Sequence, residues 1–341
     1  MSAMTTIEPF ARFAMKYIQY EKLGNPADVL QIRQAPARPL NSGEARVKVL
    51  ATPIHPSNLL QIAGQYGVAP SLPAYPGAEG IGRVVEVAPD VVDLRVGQRV
   101  MLAGGATWRE EIVAPVTAFV PLPDAGDVEQ MSMLTVNPLT AHLILADFVD
   151  LKPGDWLVQS AANSAVGEYV IQLAKQRGLK TVNIVRRENL VAELKALGAD
   201  VVLTDGPDLA ERIATATGGA TISLAIDAVG GDTFARLVDS LATSGTIVAY
   251  GSLTKQPPLL NSVAIIFNDV RVRGFWLSKW FATATAAAKQ AAYGQVIQLV
   301  ASGALKAKID SRFGIDDIAA AVRRAAEGGR SGKVLLIPNA E

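Results

Sequence analysis

A turn of small residues in the middle of the chain has the composition of a dinucleotide-binding turn. Residues 160–167 read Ser-Ala-Ala-Asn-Ser-Ala-Val-Gly and follow an apolar, strand-like segment. In dinucleotide-binding folds this first strand-to-helix turn carries G-x-G-x-x-G, and the pyrophosphate lies against the N-terminus of the next helix. Only the last glycine remains here, but small side chains still let the backbone approach phosphate, and the serine adds a hydroxyl donor. We therefore expect cofactor contacts at Asn163, Ser164, Ala165, Val166 and Gly167, with a generic loop as the alternative.

Two adjacent arginines at the end of the next predicted strand bear on which cofactor binds. Enzymes that use NAD place an Asp or Glu about 20 residues after the glycine motif, where it accepts hydrogen bonds from the ribose 2′-hydroxyl. At that distance this chain has Arg186 and Arg187. A carboxylate would repel a 2′-phosphate, whereas a guanidinium group can bind it through two parallel hydrogen bonds. The pair favours NADPH over NADH, and two solvated arginines at a strand end are the alternative.

The composition of the chain excludes several other kinds of chemistry. The 341 residues include no cysteine, so disulfides, iron–sulfur clusters, thiolate zinc sites and a cysteine nucleophile are excluded. Basic and acidic residues balance at 32 each, which gives no electrostatic footprint for nucleic acid or for a charged membrane surface. The expected partner is therefore a small molecule.

No segment of the sequence predicts a membrane span or a signal peptide. The N-terminal stretch contains Glu8, Pro9 and Arg12 where a signal peptide needs an unbroken apolar core. The longest apolar stretches, near residues 131–144 and 259–267, are interrupted by polar residues and proline. Together with the lack of disulfides, these features predict a soluble, cytoplasmic protein.

The length of the chain predicts two domains, and the sequence pattern changes near residue 131. Before that point, turns rich in proline and glycine separate strand-like segments at 45–51, 82–87, 96–102 and 111–120. Residues 53–76 are predicted as a broken loop region. This pattern predicts a compact, mostly β domain, to which we also assign the last strand-like segment, 333–337.

After residue 131, strands and helices alternate. A helical region at 131–148, in which Pro138 starts a new helix at Asn137, leads to strands predicted at 156–160, 181–185, 201–203, 222–226, 246–250 and 270–274. Apolar strands joined by helices are typical of a parallel sheet covered on both faces. We predict an α/β fold with a six-stranded, doubly wound (Rossmann) sheet, followed by an alanine-rich helix at 282–301. The predicted cofactor domain is 133–304, and the other domain combines 1–132 with 305–341.

Several motifs resemble those of the medium-chain dehydrogenases/reductases. Residues 77–85 (Gly-Ala-Glu-Gly-Ile-Gly-Arg-Val-Val) are similar to the glycine-rich signature of that superfamily. Its zinc-dependent alcohol dehydrogenases carry a histidine ligand where this chain has Ala78, and His55 and His142 are the two histidines of the whole sequence. Neither zinc site of that branch can then be assembled, and both histidines are interpreted as ordinary polar residues. The resemblance implies a zinc-free reductase whose mostly β domain is GroES-like and catalytic.

Within the zinc-free branch, the chain resembles the NADPH-dependent 2-enoyl thioester reductases, including the mitochondrial enoyl reductases of fatty acid synthesis. The similar motifs lie at 137–141, 147–148, 153–156, 162–167, 185–187 and 274–280. Residues 64–67 (Gly-Gln-Tyr-Gly) resemble the loop that holds the family's catalytic tyrosine. The chain departs from the family at residues 55–58, His-Pro-Ser-Asn in place of the frequent Asn-Pro-Ser-Asp. It departs again after the arginine pair, where Glu188 replaces the usual acid-and-arginine pair.

The resemblance implies hydride transfer from the nicotinamide to the β-carbon of a trans-2-enoyl thioester, either enoyl-CoA or enoyl-ACP. Negative charge then develops on the thioester oxygen, and a chain without a metal must stabilise it with hydrogen-bond donors. We assign Tyr66 as that catalytic donor, which also helps to deliver the proton to the α-carbon. A loop tyrosine that packs at a domain edge is the alternative.

Further cofactor contacts are expected at the ends of other strands and in one helix. These residues are Asn137, Thr140, Val229, Tyr250, Gly251, Ser252, Phe275, Trp276, Leu277 and Lys333. Trp276 is also expected to line the substrate pocket in the cleft between domains. The alternatives are a hydroxyl of Thr140 bonded to its own helix, aromatic residues buried in a core, and a solvated lysine at a strand end.

Two other functions remain open at this point. An NADPH:quinone oxidoreductase would have the same fold and cofactor with a different acceptor. A non-catalytic NADPH-binding protein, like the lens crystallins related to quinone reductases, would keep the fold without the chemistry. A homodimer is expected from the resemblance, with edge strands near residues 270–275 as one way to pair.

Overall fold

The computed structural model describes residues 14–339 of the chain. Most of the segment that was judged to lack a signal-peptide core, residues 1–13, lies outside the described residues. Between residues 14 and 339 no helix is both long enough and apolar enough to cross a bilayer.

The strands are numbered in chain order. They are β1 (Met15–Gln19), β2 (Gln31–Ala35), β3 (Glu44–Ile54), β4 (Gly80–Val87), β5 (Arg99–Leu102), β6 (Glu111–Pro115), β7 (Phe119–Pro121), β8 (Trp156–Gln159), β9 (Lys180–Val185), β10 (Val201–Thr204), β11 (Ile222–Asp227), β12 (Thr246–Ala249), β13 (Arg271–Gly274), β14 (Ile309–Phe313) and β15 (Lys333–Leu336).

The α-helices are numbered in the same way. They are α1 (Pro26–Val29), α2 (Pro56–Ile62), α3 (Val128–Met131), α4 (Asn137–Asp147), α5 (Ala165–Gln176), α6 (Val191–Leu197), α7 (Leu209–Thr217), α8 (Gly231–Asp239), α9 (Ser262–Asn268), α10 (Leu277–Thr283), α11 (Ala286–Ala301) and α12 (Ile318–Ala326).

The chain divides into two compact units. The β unit contains the residues up to Asp124 and those from Ile309, and the Rossmann unit is Ala125–Lys308. The sequence analysis placed the two domain boundaries at 132/133 and 304/305, whereas the boundaries between the units lie at 124/125 and 308/309. The segment before Ile309 goes with the Rossmann unit because side chains of α3 and α5 hold its backbone. Gln130 exchanges two hydrogen bonds with Ala307, and Gln172 exchanges two with Lys306, all at 2.8–3.0 Å.

The Rossmann unit contains a six-stranded parallel sheet with the order β10-β9-β8-β11-β12-β13. Counted from β8 as the first strand, this is the doubly wound order, and the strand order reverses between β8 and β11. The central strands are apolar and buried, as a sheet covered on both faces requires. Val158, Val182, Ala225 and Ile247 are fully buried and belong to one core with Phe234 of α8. The predicted α/β sheet is confirmed.

The β unit is built around the long strand β3. Its seven-stranded sheet has the order β14-β15-β3-β4-β5-β7, and β6 also pairs with β3. A separate two-stranded sheet is formed by β1 and β2. The fully buried residues Ala45, Val47 and Val49 of β3 contribute to one core with Val84 and Val100 from the neighbouring strands. The tail strand β15 runs antiparallel to β3, which brings the end of the described chain into this unit.

Two predictions of local structure were wrong. The region 53–76 was predicted as a broken loop but contains α2, because Pro56 occupies the first helical turn, where a missing N–H costs nothing. The backbone N–H of His55 also donates to the side chain of Asn58 at 2.9 Å, which stabilises the helix start. The predicted helix at 282–301 is interrupted after Thr283, and Thr285 caps a new helix by accepting from the N–H of Ala288 at 3.2 Å.

Candidate active site

The carboxyl edge of the Rossmann sheet collects most of the predicted cofactor residues. They come after the carboxyl ends of β8, β9, β11, β12 and β13. These strands are parallel, so their carboxyl ends lie at the same edge of the sheet. Ligands of such sheets bind at this edge, where the strand order reverses. The residues that the structure gathers there are Asn163, Ser164, Ala165, Val166, Gly167, Arg186, Arg187, Val229, Tyr250, Gly251, Ser252, Phe275, Trp276 and Leu277.

The small-residue turn after β8 has the geometry of a phosphate-binding turn. Ser164 caps α5, since its hydroxyl oxygen accepts from the N–H of Gly167 at 3.1 Å. The amides of Ala165 and Val166 lie in the first helical turn, where N–H groups have no partner within the helix. A Cβ atom at Gly167 would lie 2.6 Å from the carbonyl oxygen of Ala162, so only glycine lets the helix pack this closely on the strand. The turn therefore offers free donors and a positive helix end to an anion.

A buried carboxylate that the sequence analysis missed holds this edge together. The hydroxyl of Ser160, after β8, donates to Asp227, at the end of β11, at 2.6 Å. The same carboxylate accepts from the backbone N–H groups of Val229 and Gly230 at 3.1 and 2.9 Å. Asp227 is 1% exposed. It ties the turns of two adjacent strands into one surface, and its signal in the sequence was a lone acid directly after an apolar strand.

The side chain of Tyr250 closes the same surface from the end of β12. Its phenol hydrogen-bonds to Ser164, and loss of water around the ring raises the pKa of Tyr250 to about 12, with the charge of Asp227 acting in the same direction. The phenol thus stays protonated at neutral pH. The neighbouring Gly251 has a packing reason of its own, because a Cβ atom there would lie 3.1 Å from the carbonyl oxygen of Ala228.

Arg186 and Arg187 are exposed and follow β9 directly. Neither guanidinium group forms a hydrogen bond or an ion pair with another residue between 14 and 339. The carboxylate at the end of the next strand, Asp205, is already engaged by Arg236 through two bonds of 2.7 Å. Thr233 donates to it as well, at 2.5 Å. The end of β9 therefore presents unneutralised positive charge, which suits a 2′-phosphate and not a 2′-hydroxyl.

Asn137 and Thr140 lie one turn apart at the start of α4, and both are buried. The side-chain Nδ2 of Asn137 is buried and has no hydrogen-bond acceptor among the described residues. The hydroxyl of Thr140 likewise makes no hydrogen bond within the described chain, so the alternative that it bonds to its own helix is wrong. A buried donor without an acceptor is costly, and a ligand with a carbonyl or amide group would satisfy it.

The aromatic residues after β13 divide into a packed ring and an exposed one. Phe275 is half-buried and packs edge-on against Phe148, with ring centroids 6.1 Å apart. Trp276 is 41% exposed and precedes α10 as its N-cap residue. The alternative that both aromatic side chains are buried in a core is therefore wrong for Trp276.

Tyr66 and Lys333 belong to the β unit. Tyr66 is half-buried and lies in the loop that follows α2. Two backbone bonds hold the start of this loop to the helix, from Gly64 to Gln61 at 3.1 Å and from Gln65 to Leu60 at 2.8 Å. The loop of the tyrosine is thus anchored to α2.

Lys333, the first residue of β15, is only 5% exposed, so the alternative of a solvated strand-end lysine is wrong. Its Nζ lies 3.0 Å from Nδ1 of His55, and Nε2 of His55 lies 2.7 Å from Oε1 of Glu79. Burial lowers the pKa of Lys333 to about 8, assisted by the charge of Arg330 and opposed by that of Glu79. Burial and the charge of Lys333 also lower the pKa of His55. The sequence analysis missed this cluster because its three members are far apart in the chain.

Comparison with known proteins places this geometry in a family. The chain matches the model of the zinc-binding dehydrogenases over residues 165–302, and that of the alcohol dehydrogenase GroES-like domain over residues 41–124. It is 39% identical to the mitochondrial enoyl-[acyl-carrier-protein] reductase of Rattus norvegicus over 273 residues, which cover 78% of this chain and 73% of that protein. The chain belongs to the medium-chain dehydrogenase/reductase family.

Two solved structures are similar to this chain over nearly its whole length. A protein named as a candidate NADPH:quinone reductase from Bacillus thuringiensis is 30% identical with a TM-score of 0.88, covering 96% of this chain and 100% of that one. The Etr1p/NADP/crotonyl-CoA complex is 28% identical with a TM-score of 0.85, covering 95% of this chain and 100% of that one. Etr1p is a mitochondrial 2-enoyl thioester reductase of Candida tropicalis. The predicted family and two-domain fold class are confirmed, and the protein is an oxidoreductase that uses a nicotinamide cofactor.

This medium-chain dehydrogenase/reductase departs from the zinc-binding members in its available ligands. The full sequence has no cysteine. Between residues 14 and 339 no group of three or more histidine, aspartate or glutamate side chains could hold a metal ion.

Proposed function

We propose that the protein reduces the 2,3 double bond of a trans-2-enoyl thioester with NADPH. The observation that carries the proposal is the 39% identity with a mitochondrial enoyl-[acyl-carrier-protein] reductase over 78% of the chain. The likeness to the complex that contains NADP and crotonyl-CoA supports the same class of substrate. An enoyl reductase of this kind acts in fatty acid metabolism, with CoA or acyl carrier protein as the carrier of the acyl chain.

The edge of the Rossmann sheet fits NADPH. The turn from Asn163 to Gly167 would hold the pyrophosphate at the start of α5, since its backbone donors and helix dipole favour an anion. Arg186 and Arg187 would bind the 2′-phosphate with guanidinium groups that have no partner of their own. Asn137 would give its unused Nδ2 donor to the nicotinamide end. The turn amides, the two guanidinium groups and the Asn137 amide are all hydrogen-bond donors, and NADPH would supply an acceptor or a negative charge for each of them.

NADPH, when bound, supplies the hydride for the β-carbon of the thioester. The electron pair of the 2,3 double bond then moves toward the carbonyl, and the oxygen gains negative charge. Tyr66 would stabilise that oxygen with its phenolic O–H and provide, directly or through water, the proton that the α-carbon takes up. The proton on Tyr66 returns from solvent, so the saturated thioester and the oxidised cofactor are the net products.

Trp276 is proposed to line the acyl pocket. Its ring is 41% exposed, whereas the neighbouring Phe275 is packed against Phe148. A large, partly exposed aromatic ring that follows the carboxyl end of β13 is suited to contact an apolar substrate chain.

The quinone acceptor remains the second candidate because the Bacillus thuringiensis protein, with a TM-score of 0.88, is named for it. The test is NADPH oxidation by the purified protein with crotonyl-CoA, a longer trans-2-enoyl-CoA and a benzoquinone. The proposal expects the enoyl thioesters to be turned over far faster than the quinone. The reverse order would replace the thioester by a quinone, and NADPH binding without turnover of any acceptor would support the non-catalytic, crystallin-like alternative.

A homodimer is proposed through the exposed edge strand β13. All four of its residues are exposed, and β13 is the last strand of its sheet. The adjacent α9 exposes apolar residues, of which Ile266 and Phe267 are 68% and 74% exposed. Pairing of two β13 strands would cover both features. Light scattering of the purified protein, with Phe267→Glu as the disrupting variant, tests it.

The relatives are named as mitochondrial, and a cytoplasmic location for this chain stays a prediction.

A further inference from the structure

We propose that His55 is a positioning residue for the proposed reduction, holding the ammonium group of Lys333 and the start of the helix that leads to Tyr66. The kinetic part of the proposal, that His55 affects turnover, rests on the proposed function. The structural part, that His55 is a neutral ring held between Lys333 and Glu79, rests on the geometry of the β unit alone. His55 stands at the start of residues 55–58, where the chain departs from the asparagine that is frequent in the resembling family.

The cluster joins three separate strands of the β unit. His55 follows β3, Glu79 precedes β4, and Lys333 begins β15. Nζ of Lys333 lies 3.0 Å from Nδ1 of His55, and Nε2 of His55 lies 2.7 Å from Oε1 of Glu79. Lys333 is 5% exposed, His55 1% and Glu79 0%, so bulk water does not compete for these contacts. An imidazole ring suits this position because its two nitrogens face opposite partners.

The donors and acceptors of the cluster define one protonation state. A lysine ammonium can only donate, so Nδ1 of His55 must be the acceptor. Nε2 then carries the proton and donates it to the carboxylate of Glu79. The ring is a neutral bridge between a buried cation and a buried anion, which would each be costly without a partner.

The other charge that acts on Lys333 is the guanidinium of Arg330, which disfavours the ammonium form. Burial lowers the pKa of Arg330 itself, and the charge of Asp310 opposes this shift while that of Arg324 adds to it. The charge of Glu79 therefore favours the ammonium form of Lys333, and His55 lies between the two groups and contacts both. Lys333 is itself a predicted cofactor contact, so its position and charge bear on turnover.

The same histidine also fixes the start of α2. It is the N-cap residue of that helix, and its backbone N–H donates to the side chain of Asn58 at 2.9 Å. The opposite end of α2 carries the anchored loop of Tyr66. A shift of His55 would thus move both Lys333 and the helix that supports the proposed donor.

The structural part is tested by nitrogen NMR of the imidazole rings, because the whole chain contains two histidines. We expect His55 to remain neutral with its proton on Nε2 from about pH 6 to 8, a range within which an ordinary histidine, with a pKa near 6.5, would titrate. Lys333→Met should shift the Nδ1 resonance of His55 and leave His142, whose Nδ1 contacts Arg177 in the other unit, unchanged. An ordinary titration of His55, or an unchanged Nδ1 resonance, would overturn the proposal. This readout needs no substrate, so it stands even if the proposed function fails.

The kinetic part uses crotonyl-CoA reduction. His55→Leu should lower kcat by about 10-fold or more with the KM for NADPH within about 2-fold, because small misplacements of catalytic groups are costly. His55→Gln, which keeps a donor and an acceptor, should recover most of the rate. Glu79→Gln should move the alkaline limb of the kcat profile to lower pH, since loss of the carboxylate lowers the pKa of Lys333 further.

The matched control is His142→Leu, which removes the other buried histidine. It should leave the pH profile in place. An unchanged kcat in His55→Leu would contradict the proposal. So would a shift of the alkaline limb in His142→Leu equal to the one expected for Glu79→Gln. If His55→Leu fails to fold, His55→Gln and Glu79→Gln carry the test. A wild-type protein inactive on every enoyl-CoA would refute the proposed function and leave the NMR result to decide the structural part.

Discussion

The carboxyl edge of the Rossmann sheet and the buried polar cluster of the β unit use polar groups in opposite ways. Arg186 and Arg187 at the sheet edge, and the Nδ2 atom of Asn137 at the start of α4, have no partner within the described chain. In the cluster, Lys333, His55 and Glu79 satisfy one another at 3.0 and 2.7 Å.

The difference shows which groups bind and which groups position. An unsatisfied donor or charge gains free energy only when a ligand arrives, so the sheet edge is built for recognition. Buried bonds among the side chains of the chain itself are costly to break, so the cluster holds its members in place. Substitutions should therefore separate affinity at the edge from rate and stability elsewhere.

The largest effect is expected from Tyr66→Phe. Removal of the phenolic proton should lower kcat with crotonyl-CoA by ~100-fold or more, as general acid catalysis and oxyanion stabilisation are each of that order. NADPH affinity should change little, because the phenol is proposed to face the thioester. Steady-state kinetics with a separate fluorescence titration of NADPH checks both values.

Tyr75→Phe is the matched control for this prediction. Tyr75 is an exposed tyrosine of the same loop region, and it contacts Arg109 through its ring, which phenylalanine keeps. Its rate should equal that of the wild type. A Tyr66→Phe enzyme with wild-type turnover would remove Tyr66 from the mechanism.

The next effect is on the choice of cofactor. Arg186→Ala together with Arg187→Ala should weaken NADPH by ~30- to 100-fold, about 2–3 kcal/mol for lost charge-assisted hydrogen bonds, and NADH much less. Arg95→Ala, in an exposed loop of the β unit, is the control and should affect neither. Equal weakening of both cofactors by the double substitution would show that the arginines are surface charge only.

A third prediction concerns a buried acid in the first turn of α5. Glu168 is 6% exposed, and burial raises its pKa to about 7, assisted by the charge of Glu193 and opposed by Lys308. The folded state thus holds a proton that the unfolded state has lost above its ordinary value of 4.5. The stabilisation from this proton is complete below about pH 4.5 and is lost as pH rises through 7.

Glu168→Gln should therefore remove this loss. The variant should gain roughly 2–3 kcal/mol relative to wild type between pH 5 and pH 8, from a shift of this size. Urea unfolding at both pH values measures it, with Glu211→Gln on the exposed face of α7 as the control. A constant difference between variant and wild type over that range would contradict the raised pKa.

The smallest effect is expected from Asn137→Ala. Loss of one neutral hydrogen bond should weaken NADPH by a few-fold, about 0.5–1.5 kcal/mol. NADH should weaken by the same factor, because the nicotinamide end is common to both cofactors. A loss confined to NADPH would place Asn137 at the 2′-phosphate, and no loss would leave its buried donor unexplained.

The sheet edge could be predicted from the sequence because its groups lie close to their own strands. The turn before α5 and the arginine pair after β9 are each a few consecutive residues whose position follows from the strand-and-helix pattern. Gly167 is required by a contact with Ala162, five residues earlier, and such short-range contacts leave a readable spacing.

The buried polar contacts could not be predicted in this way. His55 and Lys333 are 278 positions apart, and Ser160 and Asp227 are 67 apart, so each pair depends on strand order and register. The histidines were interpreted as ordinary polar residues because the zinc ligands were missing, whereas both are buried beside a cation. Helix α2 was overlooked because Pro56 was taken as a break, although proline is favoured at a first helical turn.

The central claim is hydride transfer to an enoyl thioester without a metal, and deuterium tracing tests it most directly. The chelator-treated protein is incubated with crotonyl-CoA and NADPH that carries deuterium at the transferable position. The account predicts butyryl-CoA with one deuterium at the β-carbon and a solvent-derived proton at the α-carbon. Deuterium that never enters the acyl chain, or turnover that returns only when a metal is added back, would contradict it.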